Sequence, residues 1–374
     1  MISNIIIFFI IFIVITILYQ RYLEKNTYVS EYDNYKAIQK HLLIDTELIY
    51  KSKKPIIWIH IPYEYNSRHW QSFGSRSSCN LNQPYLYLTA KTIIKNCDDS
   101  FMICFIDDES FKKLIPDWNI DLSLIGNPML NYIRQLAIMK LIYLYGGMNI
   151  PVSFLCFKDL IHLYKQGTKY NKMFIGENID YNITSVHYDF YPNIEFIGAN
   201  KSNETIGELI EFMQRIISRD YTAQVEFLGE FNRWCNKRVE MGKIYVVDGK
   251  YLGVKNVEDD AVLIENLLGE EYINYHTDMY GIWIADKMIL KRTTYEWFPR
   301  MSEEQVLKGN FILAKYILIA SAPDSNLGVI EPLANKPNWI SFWKVPSNAP
   351  VWGLKPINLG NYVPREKYPN QFLN

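Results

Sequence analysis

The chain of 374 residues is 49% hydrophobic, 15% aromatic and 21% charged, with 39 Lys and Arg against 40 Asp and Glu. This composition excludes disorder as the main state, because aromatic and aliphatic side chains in this proportion build a sizeable core. A formal net charge of −1 removes the general electrostatic case for nucleic-acid binding, which needs a basic surplus to neutralise phosphates. The length suits one large α/β domain or two smaller ones.

The first predicted element is a transmembrane helix over residues 1–19, a stretch without a charged side chain. At roughly 1.5 Å per residue it is about 28 Å long, enough for a hydrocarbon core of about 30 Å. A cleaved signal peptide is the competing interpretation, but it requires a basic start and a small-residue cleavage site. A buried core helix is the third interpretation, and it does not account for the lack of a polar stripe. An uncleaved, single-pass anchor is therefore favoured.

Flanking charge predicts the orientation of this anchor. The basic residues that follow it are Arg21, Lys25, Lys36 and Lys40. By the positive-inside rule, the globular domain is expected in the cytosol. Five cysteines without a CxxC spacing suit a reducing compartment and indicate no zinc site. Glycosylation sequons at Asn182, Asn200 and Asn203 point instead toward a lumen, although such triplets arise easily in a chain rich in Asn, Ser and Thr.

A polar, partly helical stalk is predicted over residues 20–54, followed by a globular domain over residues 55–322. The domain is expected to begin with a strand at 56–61, a helix at 84–95, a strand at 101–106, a short helix at 110–114, a helix at 131–145 and a strand at 148–157 interrupted by Pro151. This alternation predicts a Rossmann-like, mostly parallel sheet with helices on both faces. Ligands bind beyond the carboxyl ends of such strands, so His60, Asp107, Asp108 and residues 149–153 are expected to meet in one cleft.

The second half of the domain is less regular. Its predicted elements are a strand at 194–199, helices at 204–219 and 227–241, and a strand at 244–248. Eight of the sixteen prolines then lie between Pro323 and Pro369. Residues 323–374 are therefore predicted to form an extended, irregular tail.

Three segments carry a recognisable pattern: residues 55–60 (PIIWIH), residues 106–108 (IDD) and residues 134–153 (RQLAIMKLIYLYGGMNIPVS). Together they resemble the DXD-type glycosyltransferase superfamily, which includes capsular polysaccharide synthesis proteins and the initiating mannosyltransferases of yeast. Residues 193–199 resemble the loop that enters the acceptor side of that family. The similarity covers roughly residues 55–250. It implies a GT-A-like fold, a nucleotide-sugar donor and a glycan or protein acceptor.

In the family, a Gly-Gly turn leads to an Asp-x-Asp whose carboxylates hold a Mn²⁺ or Mg²⁺ on the diphosphate. This chain has Pro151 and Ser153 in place of those aspartates, and Asn131 in place of the Asp before Arg134. Because Pro offers no ligating atom and Ser is a poor substitute for a carboxylate, no metal site is expected at this motif. Structural alternatives remain: a helix stop for the Gly-Gly pair, an N-cap for Asn131 and a surface charge for Arg134.

The residues that the resemblance assigns to nucleotide-sugar binding are Asp107, Asp108, Asn131, Arg134, Asn149 and Ser153. Asp107 and Asp108 could recruit Mn²⁺ or Mg²⁺, or bind ribose hydroxyls. Their alternative is a solvated turn in which Asp108 or Ser110 caps the next helix. Arg68 and Arg76 could neutralise a diphosphate without metal, the alternative being a solvated loop. No residue is assigned a catalytic role.

Two hypotheses for function follow. The first is a membrane-anchored glycosyltransferase with a weakened or relocated phosphate site, favoured by Arg134 with Asp107 and Asp108. The second is a catalytically inactive glycosyltransferase-fold membrane protein that serves as a binding or structural module, favoured by Pro151 and Ser153. A virion-associated role belongs to this second hypothesis, since the Ile-, Asn- and Tyr-rich composition also resembles that of proteins from large DNA viruses.

Overall fold

The computed structural model describes residues 15–17, 19, 41, 49, 53–61, 83–180, 189–219, 224–291, 293–295, 297–301 and 303–321. The chain divides into two compact units, Met1–Leu42 and Leu43–Asn374, and all elements named below belong to the second. Most of the predicted anchor and stalk, the loop with Arg68 and Arg76, and the predicted tail at 323–374 lie outside the described residues. Within the described part of the chain, no helix is long and apolar enough to cross a membrane.

A mixed, mostly parallel sheet of six strands forms the centre of this unit. In chain order the strands are β1 (Ile56–His60), β2 (Met102–Ile106), β3 (Gly147–Asn149), β4 (Phe154–Cys156), β5 (Met173–Asp180), β6 (Asp189–Ala199), β7 (Ile244–Val247) and β8 (Gly281–Trp283). The sheet order is β2-β1-β3-β6-β5-β7, and β4 pairs separately with β8. Within the six-stranded sheet β6 alone runs against the other strands. The predicted α/β class with a mostly parallel sheet is thus confirmed.

The described helices are α1 (Tyr85–Cys97), α2 (Ser110–Leu114), α3 (Met129–Tyr145), α4 (Ile161–Gly167), α5 (Glu204–Ile217), α6 (Gln224–Glu240), α7 (Ile264–Leu268), α8 (Asp286–Lys291), α9 (Glu303–Leu307) and α10 (Ile312–Ser321). Two sequence-based expectations are wrong here. The strand expected at 148–157 is divided at Pro151 into β3 and β4, which belong to different sheets. Asn131 is not an N-cap, because α3 already begins at Met129.

Strands β1 and β2 are covered on both faces. Trp58 and Cys104 lie in one apolar cluster together with the inner sides of α3 and α5. The alternate residues Ile57 and Ile59 are fully buried as well. Burial on both faces explains why β1 is an unbroken apolar run in the sequence.

The strand order reverses direction between β1 and β3. From β1 the chain passes through α1 to β2 on one side, and it then returns through α3 to β3 on the other side of β1. In open α/β sheets, ligands bind in the crevice beyond the carboxyl ends of the strands at such a reversal. The candidate site is therefore sought at the ends of β1 and β3.

Gly146 and Gly147 make the approach of β3 to β1 possible. Gly146 caps α3 with φ of 76°, and Gly147 follows with φ of 96°. A Cβ atom on Gly147 would lie 2.2 Å from the carbonyl oxygen of Ile56. The Gly-Gly pair is therefore both a helix stop and the point where two strands come into close contact. Trp58 secures this junction, because its indole Nε1 donates to the Gly146 carbonyl oxygen at 3.0 Å.

Candidate functional site

A partly buried network of three polar side chains lies at the carboxyl ends of β1 and β2. His60 Nε2 lies 2.9 Å from Asp108 Oδ1. Arg134 meets the same carboxylate with two nitrogens: Nη2 lies 2.6 Å from Oδ2, and Nε lies 3.0 Å from Oδ1. This is the bidentate arrangement that makes Arg–carboxylate pairs strong and directional. The predicted site residues Asp108 and Arg134 are thus in direct contact.

Strand register explains why these side chains meet. His60 is paired with Ile106, so Asp108 follows two positions after the residue beside His60. The turn that follows β2 places the Asp108 carboxylate against His60, and α3 packs on the face of β1 that carries Trp58. Arg134 then reaches the carboxylate from the first half of α3. His60 is further fixed by stacking on Phe111, with ring centroids 5.2 Å apart.

The electrostatics of the network favour the ionised form of Asp108. Partial burial acts to raise its pKa, but hydrogen bonds from His60 and Arg134 and their positive charge prevail and lower the pKa to about 2. The Arg134 side chain is only 6% exposed, and that of Asp108 is 23% exposed. The expected alternative of a surface charge for Arg134 is therefore wrong, since the guanidinium is buried against a carboxylate.

Asp107 has a different role from its neighbour. Its exposed Oδ1 accepts hydrogen bonds from the Ser110 backbone N–H at 2.9 Å and from the Ser110 hydroxyl at 2.7 Å. Asp107 therefore caps the first turn of α2, a role that the structural alternative gave to Asp108 or Ser110. Of the two adjacent carboxylates, Asp108 is the one that belongs to the network with His60 and Arg134.

Asn149 is the last residue of β3, and Ser153 follows in the turn between β3 and β4. Asn149 is 8% exposed, and its Nδ2 donates to the carbonyl oxygen of Glu195 in β6 at 2.8 Å. Because Asn149 pairs with Trp58, it projects to the same face as His60. Ser153 is fully buried, and its hydroxyl donates to Asp286 Oδ1 at 3.3 Å.

Glu195, Asp286 and Lys287 were missed by sequence reasoning. Lys287 forms an ion pair with Glu195, while Asp286 contacts Ser153. These contacts join residues 92 and 133 positions apart. No motif surrounds Asp286 or Lys287, and the short strand β8 that positions them was not recognised.

The divalent cation implied by the family resemblance does not fit these residues. Asp107 accepts from Ser110, and Asp108 is held by Arg134 and His60. Among the described residues, no group of three or more His, Cys, Asp or Glu side chains could hold a metal ion. Asn131 lies in α3 one turn before Arg134.

A surface groove of about 360 Å³ lies elsewhere, near the C-terminal half of α3. Its walls include Ile115, Tyr143 and Ile210. Tyr143 is nine residues beyond Arg134, which is about 14 Å along the helix. This groove is therefore separate from the crevice at the strand ends.

The sequence matches no protein-family model, and no curated protein matches it. The candidate site is therefore defined by the topology of the sheet and by the contacts described above.

Proposed function

We propose that the protein is a membrane-anchored, glycosyltransferase-like protein of GT-A-like fold that binds a nucleotide-sugar in the crevice between the ends of β1 and β3. Transfer would break the bond from the anomeric carbon to the β-phosphate oxygen and form a bond to an acceptor hydroxyl. The products would be the glycoside, a nucleoside diphosphate and a proton. The acceptor class is a glycan or a protein hydroxyl, and the anchor is the apolar stretch at residues 1–19.

The observation that carries this proposal is the position of the polar residues at the reversal of strand order. His60 and Asn149 are the last residues of β1 and β3 and lie on one face of the sheet, and Asp108, two residues beyond β2, contacts His60. Nucleotides bind at this place in open α/β sheets because strand ends and loops form a crevice there. The ligand class, a nucleotide-sugar, is inferred from the family resemblance, which is an analogy at the level of the fold.

The buried network supports this use of the crevice. With Asp108 held by both Arg134 and His60, the ends of β1 and β2 are tied to α3. Binding sites gain affinity and rate when their walls do not have to be ordered on binding. Sugar hydroxyls require polar partners, and the segments around β3, β6 and β8 carry several polar side chains. These are Asn149, Ser153, Glu195, Asp286 and Lys287.

A second candidate function is a binding module without catalysis. It is favoured by Pro151 and Ser153, which stand at the positions of the family aspartates. Such a protein would bind the nucleotide-sugar or a glycan and present it to a partner.

The test is a thermal-shift series on the full chain in detergent micelles. UDP, GDP, UDP-glucose and GDP-mannose are added one at a time, each with Mn²⁺ or with EDTA. We expect at least one nucleotide to raise Tm, because a ligand that binds only the folded state stabilises it by mass action. A chain whose Tm responds to none of them contradicts the proposal. Sugar release from the stabilising donor then separates the enzyme from the binding module.

A further inference from the structure

We propose that Cys97 and Cys156 are a site of covalent modification, where the folded chain forms a disulfide on exposure to a small-molecule disulfide such as oxidised glutathione. One cysteine thiolate attacks oxidised glutathione and releases one glutathione, and the other cysteine sulfur then displaces the second glutathione from the mixed disulfide. The two cysteines lose two electrons and two protons, which reduce oxidised glutathione to two molecules of glutathione. This cross-link does not depend on the function proposed above.

The two thiols are already in contact in the fold. Cys97 is the last residue of α1, Cys156 is the last residue of β4, and their Sγ atoms lie 3.9 Å apart. A disulfide bond is about 2.05 Å long, so the sulfurs have to approach by about 1.9 Å. A cysteine sulfur moves by about 3 Å between neighbouring χ1 rotamers. Rotation of one side chain therefore closes the gap without a shift of the backbone.

The junction of α1 with β4 fixes the position of Cys156. Its backbone N–H donates to Thr92 Oγ1 at 3.0 Å, and its carbonyl oxygen accepts from Asn96 Nδ2 at 3.0 Å. Thr92 and Asn96 are one helical turn apart, so they lie on the same face of α1. Both cysteine side chains are fully buried. The fold thus holds two residues that are 59 positions apart in the sequence at a constant separation.

Two further cysteines provide a comparison. Cys104 in β2 and Cys235 in α6 are also buried and free. In the part of the chain that the structure describes, the contact between two thiols is the one between Cys97 and Cys156. Burial alone is therefore shared by all four residues, whereas the presence of a second sulfur distinguishes this pair.

The surroundings of the pair predict slow oxidation of the folded chain. The hydrogen-bond contact with Cys97, together with burial, raises the pKa of the Cys156 thiol well above its ordinary value. The thiolate is the form that attacks a disulfide, so the reaction has to wait for local opening of the junction and is faster at higher pH. A reducing compartment keeps the pair as thiols, and an oxidising compartment cross-links it.

The cross-link would stabilise a junction that also holds the turn before β4. In the same helix, Thr89 Oγ1 donates to the Val152 carbonyl oxygen at 2.6 Å. A bond between Cys97 and Cys156 would close a long loop of the unfolded chain and lower its conformational entropy. We therefore expect the oxidised chain to have a Tm several degrees above that of the reduced chain, and dithiothreitol to reverse the rise.

The experiment treats the full chain in detergent micelles with oxidised glutathione at mildly alkaline pH. Remaining thiols are alkylated, and the chain is digested with trypsin without reductant and mapped by mass spectrometry. We expect a product in which residues 96–112 are linked to residues 141–158. It should be lost in Cys97→Ala and in Cys156→Ala, and it should remain in Cys104→Ala. Cys104→Ala is the matched control, because Cys104 is buried and lies in the same tryptic peptide as Cys97.

A further control oxidises the wild type in concentrated urea, where we expect a mixture of cysteine pairs because the fold no longer selects one. If prolonged oxidation of the folded chain leaves Cys97 and Cys156 as thiols or as glutathione adducts, the proposal is wrong. It is also wrong if the linked product persists in Cys97→Ala, since Cys104 then supplies the sulfur. A fall in Tm on oxidation would show that the fold does not accommodate the bond. None of these outcomes involves a nucleotide, so they leave the proposed function untouched.

Discussion

The two sides of the crevice handle charge in different ways. On the side of β1 and β2, the carboxylate of Asp108 forms a bidentate ion pair with the guanidinium of Arg134, whose side chain is 6% exposed. On the side of β3 and β6, the ammonium of Lys287 pairs with Glu195 while 54% of the lysine side chain stays exposed. Buried pairs are costly to break, whereas exposed pairs add little to stability. The first pair is therefore expected to contribute more to the stability of the fold than the second.

The largest effect on the free energy of unfolding is expected at Gly147, where β3 packs against β1. Gly147→Ala would place a Cβ atom 2.2 Å from the Ile56 carbonyl oxygen at a φ of 96°. We expect the free energy of unfolding to fall by more than about 4 kcal/mol, because a backbone atom cannot move aside cheaply. Urea unfolding of the full chain measures it. Gly229→Ala in α6 is the control, since its Cβ meets nothing within 4 Å and should be neutral or stabilising. Equal stability of the two variants would contradict the structure at this junction.

Arg134→Met tests the buried side of the crevice. It leaves the Asp108 carboxylate without its guanidinium partner, and we expect a loss of about 3 kcal/mol in the free energy of unfolding. Adding Asp108→Leu to this variant should recover part of the loss, because the uncompensated charge is then removed. The comparison of the single and double variants by urea unfolding checks it. Strictly additive losses would show that the two side chains do not interact.

The ion pair between Asp108 and Arg134 also predicts that the stability of the fold depends on pH. The pKa of Asp108 is lowered from 3.8 to about 2, so the folded state binds the proton less readily than the unfolded state. The stabilisation is therefore complete above about pH 4 and is lost as the pH falls toward 2, and it amounts to about 2 kcal/mol. Between pH 5 and pH 2.5, the free energy of unfolding should fall by about 2 kcal/mol more in the wild type than in Asp108→Asn. Parallel losses in the two proteins would refute the assignment.

The smallest effect is expected on the exposed side. Lys287→Ala removes the partner of Glu195, yet we expect a change below about 1 kcal/mol in the free energy of unfolding. Its consequence should instead appear in donor binding, because Lys287 anchors the segment beside Ser153. Urea unfolding and the nucleotide-induced shift in Tm are measured on the same sample. A large loss of stability would mean that both sides of the crevice are structural.

Sequence reasoning reached the elements whose pattern is local. Each of these patterns lies within one continuous segment: the apolar run of β1, and the long helix α3 with its Gly-Gly stop. The bounds of both elements were therefore predicted within a few positions. The proximity of His60 and Asp108 was expected from neighbouring parallel strands, whereas the contact of Asp108 with Arg134 was not. The separation of β3 from β4 was not predicted either, because it depends on β4 pairing with a strand more than 120 residues later.

The polar groups on the β3 side were hidden for the same reason. Asp286 and Lys287 follow the three-residue strand β8, which is too short to show a periodic pattern. Their partner Glu195 lies in a strand that the sequence predicted, whereas Ser153 lies in the turn between β3 and β4 that the sequence did not predict. Only the fold reveals that a carboxylate stands beside the serine.

Hydrogen exchange of the full chain, with and without the nucleotide that raises Tm most, tests the location of the site most directly. We expect added protection at three places that are distant in sequence and adjacent in space: the ends of β1 and β2 near residues 59–61 and 106–110, the turn at 149–153, and the segment at 284–287. Protection confined to other parts of the chain, such as the groove beside Tyr143 in α3, would contradict a nucleotide site at the reversal of strand order.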